Sequence, residues 1–284
     1  MNAGLARLKR MLFYNTGTKI GFAIVLVFVV TAVTEGIGGY GILPYNPIGI
    51  NLQQEFLPPS PQHPFGTNYI GTDLLSMIIA GAPNDAMVSF FVVAFSFIFG
   101  GILGALAGYR SGWMDEALMR ITDVFFAVPA IILGMAIAVV LGPSPTNVMI
   151  ALGIIWWPSY ARLARSEALK LSTMNFVESA KLSGVGTRRI VFRHIYRMAI
   201  PTLLVFGTLD VGTVVLAYSS LAYLGLAVQP PHPDWGFMVS QYQQYIFQAP
   251  WLPLIPAIVI VIVAGGFSLL GDGLKDALQR EMSK

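Results

Sequence analysis

Cysteine is absent and charge is scarce in this chain of 284 residues. Without a thiol there are no disulfides, no thiolate metal sites and no cysteine nucleophile. Charged side chains make up 11% of the residues, against about 25% in an ordinary soluble domain, while 55% are hydrophobic and the mean hydropathy is +0.69. That balance excludes a disordered chain and argues against a soluble enzyme. No G-x-x-x-x-G-K-[ST] run occurs either, so the chain does not cradle nucleotide phosphates in a P-loop. What it has in quantity is long uncharged stretches, which point to a membrane protein.

A helix needs about 20 apolar residues to cross a hydrocarbon core of about 30 Å. Six stretches are candidates: 20–34, 86–109, 124–141, 147–161, 198–226 and 251–270. The first is short, 15 residues or about 22 Å of helix, but Lys19 and Glu35 at its ends can both reach the headgroups. It lacks a small-residue cleavage site, so it is expected to be an anchor helix rather than a removed signal. The sequence therefore predicts an all-α membrane protein with six transmembrane helices. A single transmembrane domain covers 1–284: anchor 1–34, outer loop 35–85, core helices 86–271 and a solvated helical tail 272–284.

Orientation follows from the basic residues, because short loops rich in Lys and Arg stay in the cytoplasm. With six spans and both termini inside, all 17 basic residues fall on the inner side: Arg7, Lys9, Arg10 and Lys19; Arg110 and Arg120; eight between Arg162 and Arg197; and Lys275, Arg280 and Lys284. The outer segments hold Glu35, Glu55, Asp73, Asp85 and Asp234 with His63 and His232, and no Lys or Arg. Adding or dropping one span would invert this segregation.

The inner stretch 162–200 reads as helix, turn, helix. Asn175 is placed to cap a short helix with Glu178 reaching back as a capping box. Gly184 stops that helix, and Thr187 is placed to cap the next. By spacing alone the stretch is equally a docking element or an ordinary basic loop.

Glu178-Ser179-Ala180, then Gly184, Ile190 and Pro201, resemble the EAA motif of permease subunits of binding-protein-dependent ABC importers. Five further stretches resemble the second permease of the peptide/nickel branch: His63-Pro64-Phe65-Gly66-Thr67, Trp157-Pro158-Ser159-Tyr160-Ala161-Arg162, Tyr223-Leu224-Gly225-Leu226, Gln229-Pro230-Pro231 with Trp235-Gly236, and Leu270-Gly271-Asp272-Gly273-Leu274. The resemblance implies a type I ABC importer permease fold in the inner membrane, with a cytoplasmic coupling helix that docks on an ATP-hydrolysing subunit. It also implies a homologous permease as heterodimer partner, two ATPases holding ATP and Mg, and an extracytoplasmic solute-binding protein. No cofactor is expected on this chain itself and no nucleic acid among its partners. Peptides are the expected cargo, with nickel and oligosaccharides as alternatives. The chain departs from the family at Arg197-Met198, at Gly71-Thr72-Asp73 and at Tyr218-Ser219-Ser220.

Asp210 is the one ionisable side chain expected well inside a span, where a carboxylate costs about 2.5–3.5 kcal/mol. It either lines the translocation path or is held by a Ser, Thr or Tyr of a neighbouring helix. Gly100, Gly104 and Gly108 form a small-residue ridge expected to pack within the chain rather than against a partner. The three histidines show no metal-ligand spacing, and Trp235, Tyr242, Tyr245 and Trp251 are expected to form an aromatic belt. Two other classes were weighed. An ion-coupled carrier should show matching broken helices in its two halves, and an intramembrane enzyme should show apposed catalytic groups. Neither pattern is present.

Overall fold

The computed structural model describes residues 15–282. Arg7, Lys9, Arg10 and Lys284, and the first part of the expected anchor, lie outside the described residues. Among the described residues the chain is helical, and the only bridge of β type joins Thr67 and Asp73.

Helix α1 covers Thr16–Gly38, 23 residues against the 15 of the uncharged stretch. The Asn15 side chain accepts from the Thr18 amide at 2.7 Å, and Gly39 stops the helix at φ +57°. Helix α2 covers Leu74–Arg110. Asp73 caps it by accepting from the Ser76 amide at 2.8 Å. The outer segment between α1 and α2 is therefore 39–73 rather than 35–85. The uncharged stretch begins after Asp85, whereas the helix runs through that residue, whose buried carboxylate accepts from Ser219.

The stretch 124–141 is not one straight span. Helices α3 (Trp113–Phe126) and α4 (Ala130–Leu141) meet at 83°. Pro129 lies at the break, where it lacks an amide to donate and pushes the residue before it out of the helical region. Helix α5 (Pro145–Ser172) contains the stretch 147–161 and continues inward. After α6 (Asn175–Leu182) comes α7 (Thr187–Tyr223), with one π-helical turn at Val191–Ile195. The short α8 (Trp235–Tyr242) precedes α9 (Trp251–Met282), which absorbs the expected tail into one helix.

Four of these helices, α1, α2, α7 and α9, are long and apolar enough to cross a membrane, and the bent α3–α4 pair makes a fifth. Helix α5 has 28 residues, but the polar run from Trp156 to Tyr160 and the charges beyond it keep it out of that set.

The core begins where α2 meets α5. A Cβ added at Gly100, Gly104 or Gly108 would run into the α5 backbone, at the carbonyl oxygens of Trp157, Ala161 and Arg165 respectively. The ridge thus packs inside the chain, as its spacing suggested. Tyr160, Leu152, Leu203, Tyr218 and Leu221 fill the large core around it. A second, smaller core of Ala105, Ala168, Leu171, Val177, Ile190, Val191 and Ile195 closes the inner end. Gly104→Leu should cost at least about 2 kcal/mol and lower the folded fraction recovered by size-exclusion chromatography. Gly41→Leu, which meets nothing within 4 Å, should leave it unchanged.

Candidate coupling element and buried polar sites

Helix α6 stands between the inner ends of α5 and α7 on a single buried anchor, Val177. Its start differs from the expected capping box. Asn175 is already helical, no side chain caps the helix, and the Met174 carbonyl accepts from the amides of Val177 and Glu178 at 2.9 and 3.3 Å. Likewise Gly186, not Thr187, precedes α7. The end of α6 is as expected: Gly184 has φ +73°, its amide donates to Lys181 and that of Val185 to Ala180, both at 3.0 Å.

The motif residues divide by exposure. Glu178, Ser179, Gly184 and Pro201 are exposed, Ala180 is half-buried, and Ile190 is buried beside Val177 in the inner core. The apolar pattern Phe176, Val177, Ala180 and Leu182 reads as one helix face, yet Val177 alone of these is buried: Leu182 is 85% exposed, and Phe176 and the preceding Met174 are exposed as well. Lys181 stands over the Tyr109 ring at 5.0 Å, and Phe176 packs near His194, so α6 touches both α2 and α7. On the same side of the molecule, Arg165 pairs with Asp115, and Arg162 pairs with Asp123 and donates to Thr122, fastening α3 to α5.

Asp210 is buried on α7, and its carboxylate accepts from the Trp156 indole at 2.7 Å. The Tyr160 hydroxyl lies beside the same carboxylate, so the expected hydroxyl neighbour is joined by an aromatic N–H that the sequence did not suggest. Nor is it the only acid inside the bundle. Asp85 on α2 is fully buried and accepts from Ser219 at 3.3 Å, and its second oxygen has no partner among the described residues. Asp234, also fully buried, accepts from Tyr218 at 2.8 Å and from the Phe237 amide at 3.1 Å. The departure Tyr218-Ser219-Ser220 thus serves two carboxylates, each held by one of two consecutive α7 residues. Sequence reading missed this cluster because Asp85 and Asp234 both looked like loop charges.

The outer segment is knitted by similar bonds. His63 Nδ1 lies 2.8 Å from Asp73, the residue that caps α2, so this histidine is structural. Two of the four aromatics expected in a membrane belt are core residues instead. Trp235 is 2% exposed and donates to the Ile78 carbonyl at 2.8 Å, and Tyr242 is hydrogen bonded to Asn68 at 3.1 Å. The Tyr242 hydroxyl accepts that bond from Asn68 and donates to the Met77 sulfur at 3.6 Å, so the donor of each of these polar aromatics finds a partner inside the protein.

Residues 100–284 match the family of binding-protein-dependent transport system inner membrane components. The chain belongs to this family. Similar proteins include a dipeptide transport system permease protein of Alkalihalophilus pseudofirmus, 42% identical, with 79% of this chain and 74% of the relative covered. A probable D,D-dipeptide transport system permease protein of Escherichia coli is 37% identical over 82% of this chain and 78% of its own length. A glutathione transport system permease protein of Pectobacterium atrosepticum is also 37% identical, over 79% and 74%. This inner membrane component is accordingly a multi-pass permease of a binding-protein-dependent importer, and the ion-coupled carrier is set aside.

Burial lifts the Asp234 carboxyl above the ordinary carboxylate range. The folded permease therefore holds a proton that the unfolded chain releases at lower pH. Stability from this group is complete below the unfolded value, about 3.9, and is lost as pH rises through the raised one. Asp234→Asn keeps an acceptor for Tyr218 and removes this carboxyl's own titration, while Asp85 stays buried in the same cluster. The variant's melting temperature should fall less than the native protein's between about pH 5 and about pH 8, as read by thermal unfolding in detergent.

Proposed function

We propose that this chain is the second permease of an ATP-driven peptide importer. The names of its relatives support a peptide cargo, since those proteins are permeases of dipeptide, D,D-dipeptide and glutathione systems. In this reading six spans adopt the type I importer fold and both termini face the cytoplasm. A homologous permease completes the translocation path, two ATPases supply the motor with ATP and Mg, and a solute-binding protein delivers cargo from outside.

One observation carries the mechanism. A short helix anchored by Val177 presents Leu182, 85% exposed, at the end of the molecule where the basic residues gather. An apolar knob on a rigid stem is what a groove on another protein can grip, and burying a leucine there is worth about 1.5–3 kcal/mol. Beside it a cleft of about 530 Å³ lined by Arg188, Arg189, Phe192 and Arg193 offers cations to the same partner. Because Val177 shares a core with Ile190, Val191 and Ile195, a push on α6 is delivered to the start of α7 and its π-helical turn. Glu178, Ser179, Ala180 and Gly184 form the docking element, Ile190 ties it to the core, and Pro201 lies where α7 continues into the bundle.

Leu182→Glu should leave the chain folded, because the side chain packs on nothing internal. It should lower ATP-driven dipeptide uptake in proteoliposomes by about tenfold or more, the loss of roughly 1.5–3 kcal/mol of docking energy. Native uptake by an assembled Leu182→Glu complex would sink the coupling role.

Asp210 is proposed to lend its charge to the translocation path. Asp210→Asn retains an acceptor for the Trp156 indole, so it separates charge from packing. Uptake should fall several-fold, on the order of 1 kcal/mol, with the melting temperature held. An unchanged rate and substrate preference would leave Asp210 as the anchor of Trp156 only.

A further inference from the structure

A cavity of about 580 Å³ opens at the outer end of the molecule, within the size range of small-molecule sites. It lies among the end of α1, the first turns of α2, the turn between α4 and α5, and the loop between α7 and α8. Glu35 lines it and is only 5% exposed, yet no hydrogen-bond donor among the described residues reaches its carboxylate.

The surroundings favour a cation. No Lys or Arg lines the cavity, and six of its fifteen residues are prolines, which offer carbonyls but no backbone N–H. Gln229 spends an amide hydrogen on the Gly225 carbonyl at 3.3 Å, leaving its own oxygen free to accept, and Asn84 adds a second amide oxygen. Tyr40 and His232 hold each other at 3.2 Å. The other outer acids are committed elsewhere: Asp73 to His63, Asp85 to Ser219 and Asp234 to Tyr218. Glu55 lies exposed in the loop.

We propose that Glu35, with the Asn84 and Gln229 amide oxygens, forms a subsite for a primary ammonium group, the amino terminus of the peptide entering from outside. The inference rests on the peptide-permease reading and adds to it the end of the cargo that is recognised. An ammonium carries three donors and one charge in a compact head, which suits one carboxylate ringed by neutral acceptors. Phosphatidylethanolamine offers the same head. An apolar groove of about 390 Å³ runs along α1, α2 and α9 past Val27, Thr31, Ile79 and Ile262, about one turn from Glu35, so lipid and cargo are told apart by the test below.

The test uses the full importer, with both permeases, both ATPases and the binding protein, in nanodiscs and proteoliposomes. Glu35→Gln should raise the KM for ATP-driven Ala-Ala uptake about tenfold with kcat little changed, and Glu35→Asp should recover part of the loss. In the native complex, modification of Glu35 by a hydrophobic carbodiimide, followed by mass spectrometry, should be slowed about threefold or more by Ala-Ala. N-acetyl-Ala-Ala should not slow it. This second measurement decides the matter if Glu35→Gln does not assemble. Equal protection by the acetylated peptide, or a native KM in Glu35→Gln, overturns the subsite and leaves the importer reading intact. Protection by phosphatidylethanolamine in the absence of Ala-Ala, compared with phosphatidylglycerol discs, overturns the cargo assignment. Failure of the native complex to import Ala-Ala with ATP overturns the peptide reading and the subsite with it.

Discussion

The close approach of α2 to α5 is the constraint on which the rest of this permease depends. Three glycines at four-residue spacing let the α5 backbone lie where side chains would otherwise stand. In a bilayer there is little hydrophobic gain in bringing two apolar helices together, so contact between backbones supplies much of the association energy. With α5 held there, Trp157 packs against Phe99 and Phe125, and Tyr160 against Phe206. The inner end of α5 is then positioned to pair Arg162 and Arg165 with α3 and to place Val177 in the inner core.

Polar groups inside the bundle serve order before chemistry. Trp156 to Asp210 joins α5 to α7, Ser219 to Asp85 joins α7 to α2, and Tyr218 to Asp234 joins α7 to the start of α8. Each bond crosses between elements, and each acid would be costly in lipid without its donor. Together they tie α7 to three neighbours. Asp234 is next to Pro233 in the wall of the Glu35 cavity, so these bonds reach the edge of that cavity.

The two ends of the molecule are built differently. At the inner end an apolar knob and a cluster of arginines face outward from a small core, an arrangement suited to a protein partner. At the outer end the segment 39–73 is folded tightly by its own backbone and by His63, Asp73 and Asn68, and what it leaves open is polar and acceptor-rich.

The sequence by itself determined the membrane class, the stop of α6 at Gly184 and the close helix approach that the glycine ridge allows. These depend on hydropathy, on one residue's left-handed conformation and on side-chain size, all of which are local. Only the tertiary structure decided that Asp85 belongs to a helix, that Trp235 and Tyr242 are core residues, that α3 and α4 form a bend, and that Asp210 answers to an indole. Those outcomes rest on partners far apart in the chain, 54 residues between Trp156 and Asp210 and 134 between Asp85 and Ser219. A charge reads as a loop or as a buried anchor according to the donor that reaches it, and that donor is chosen by helix packing.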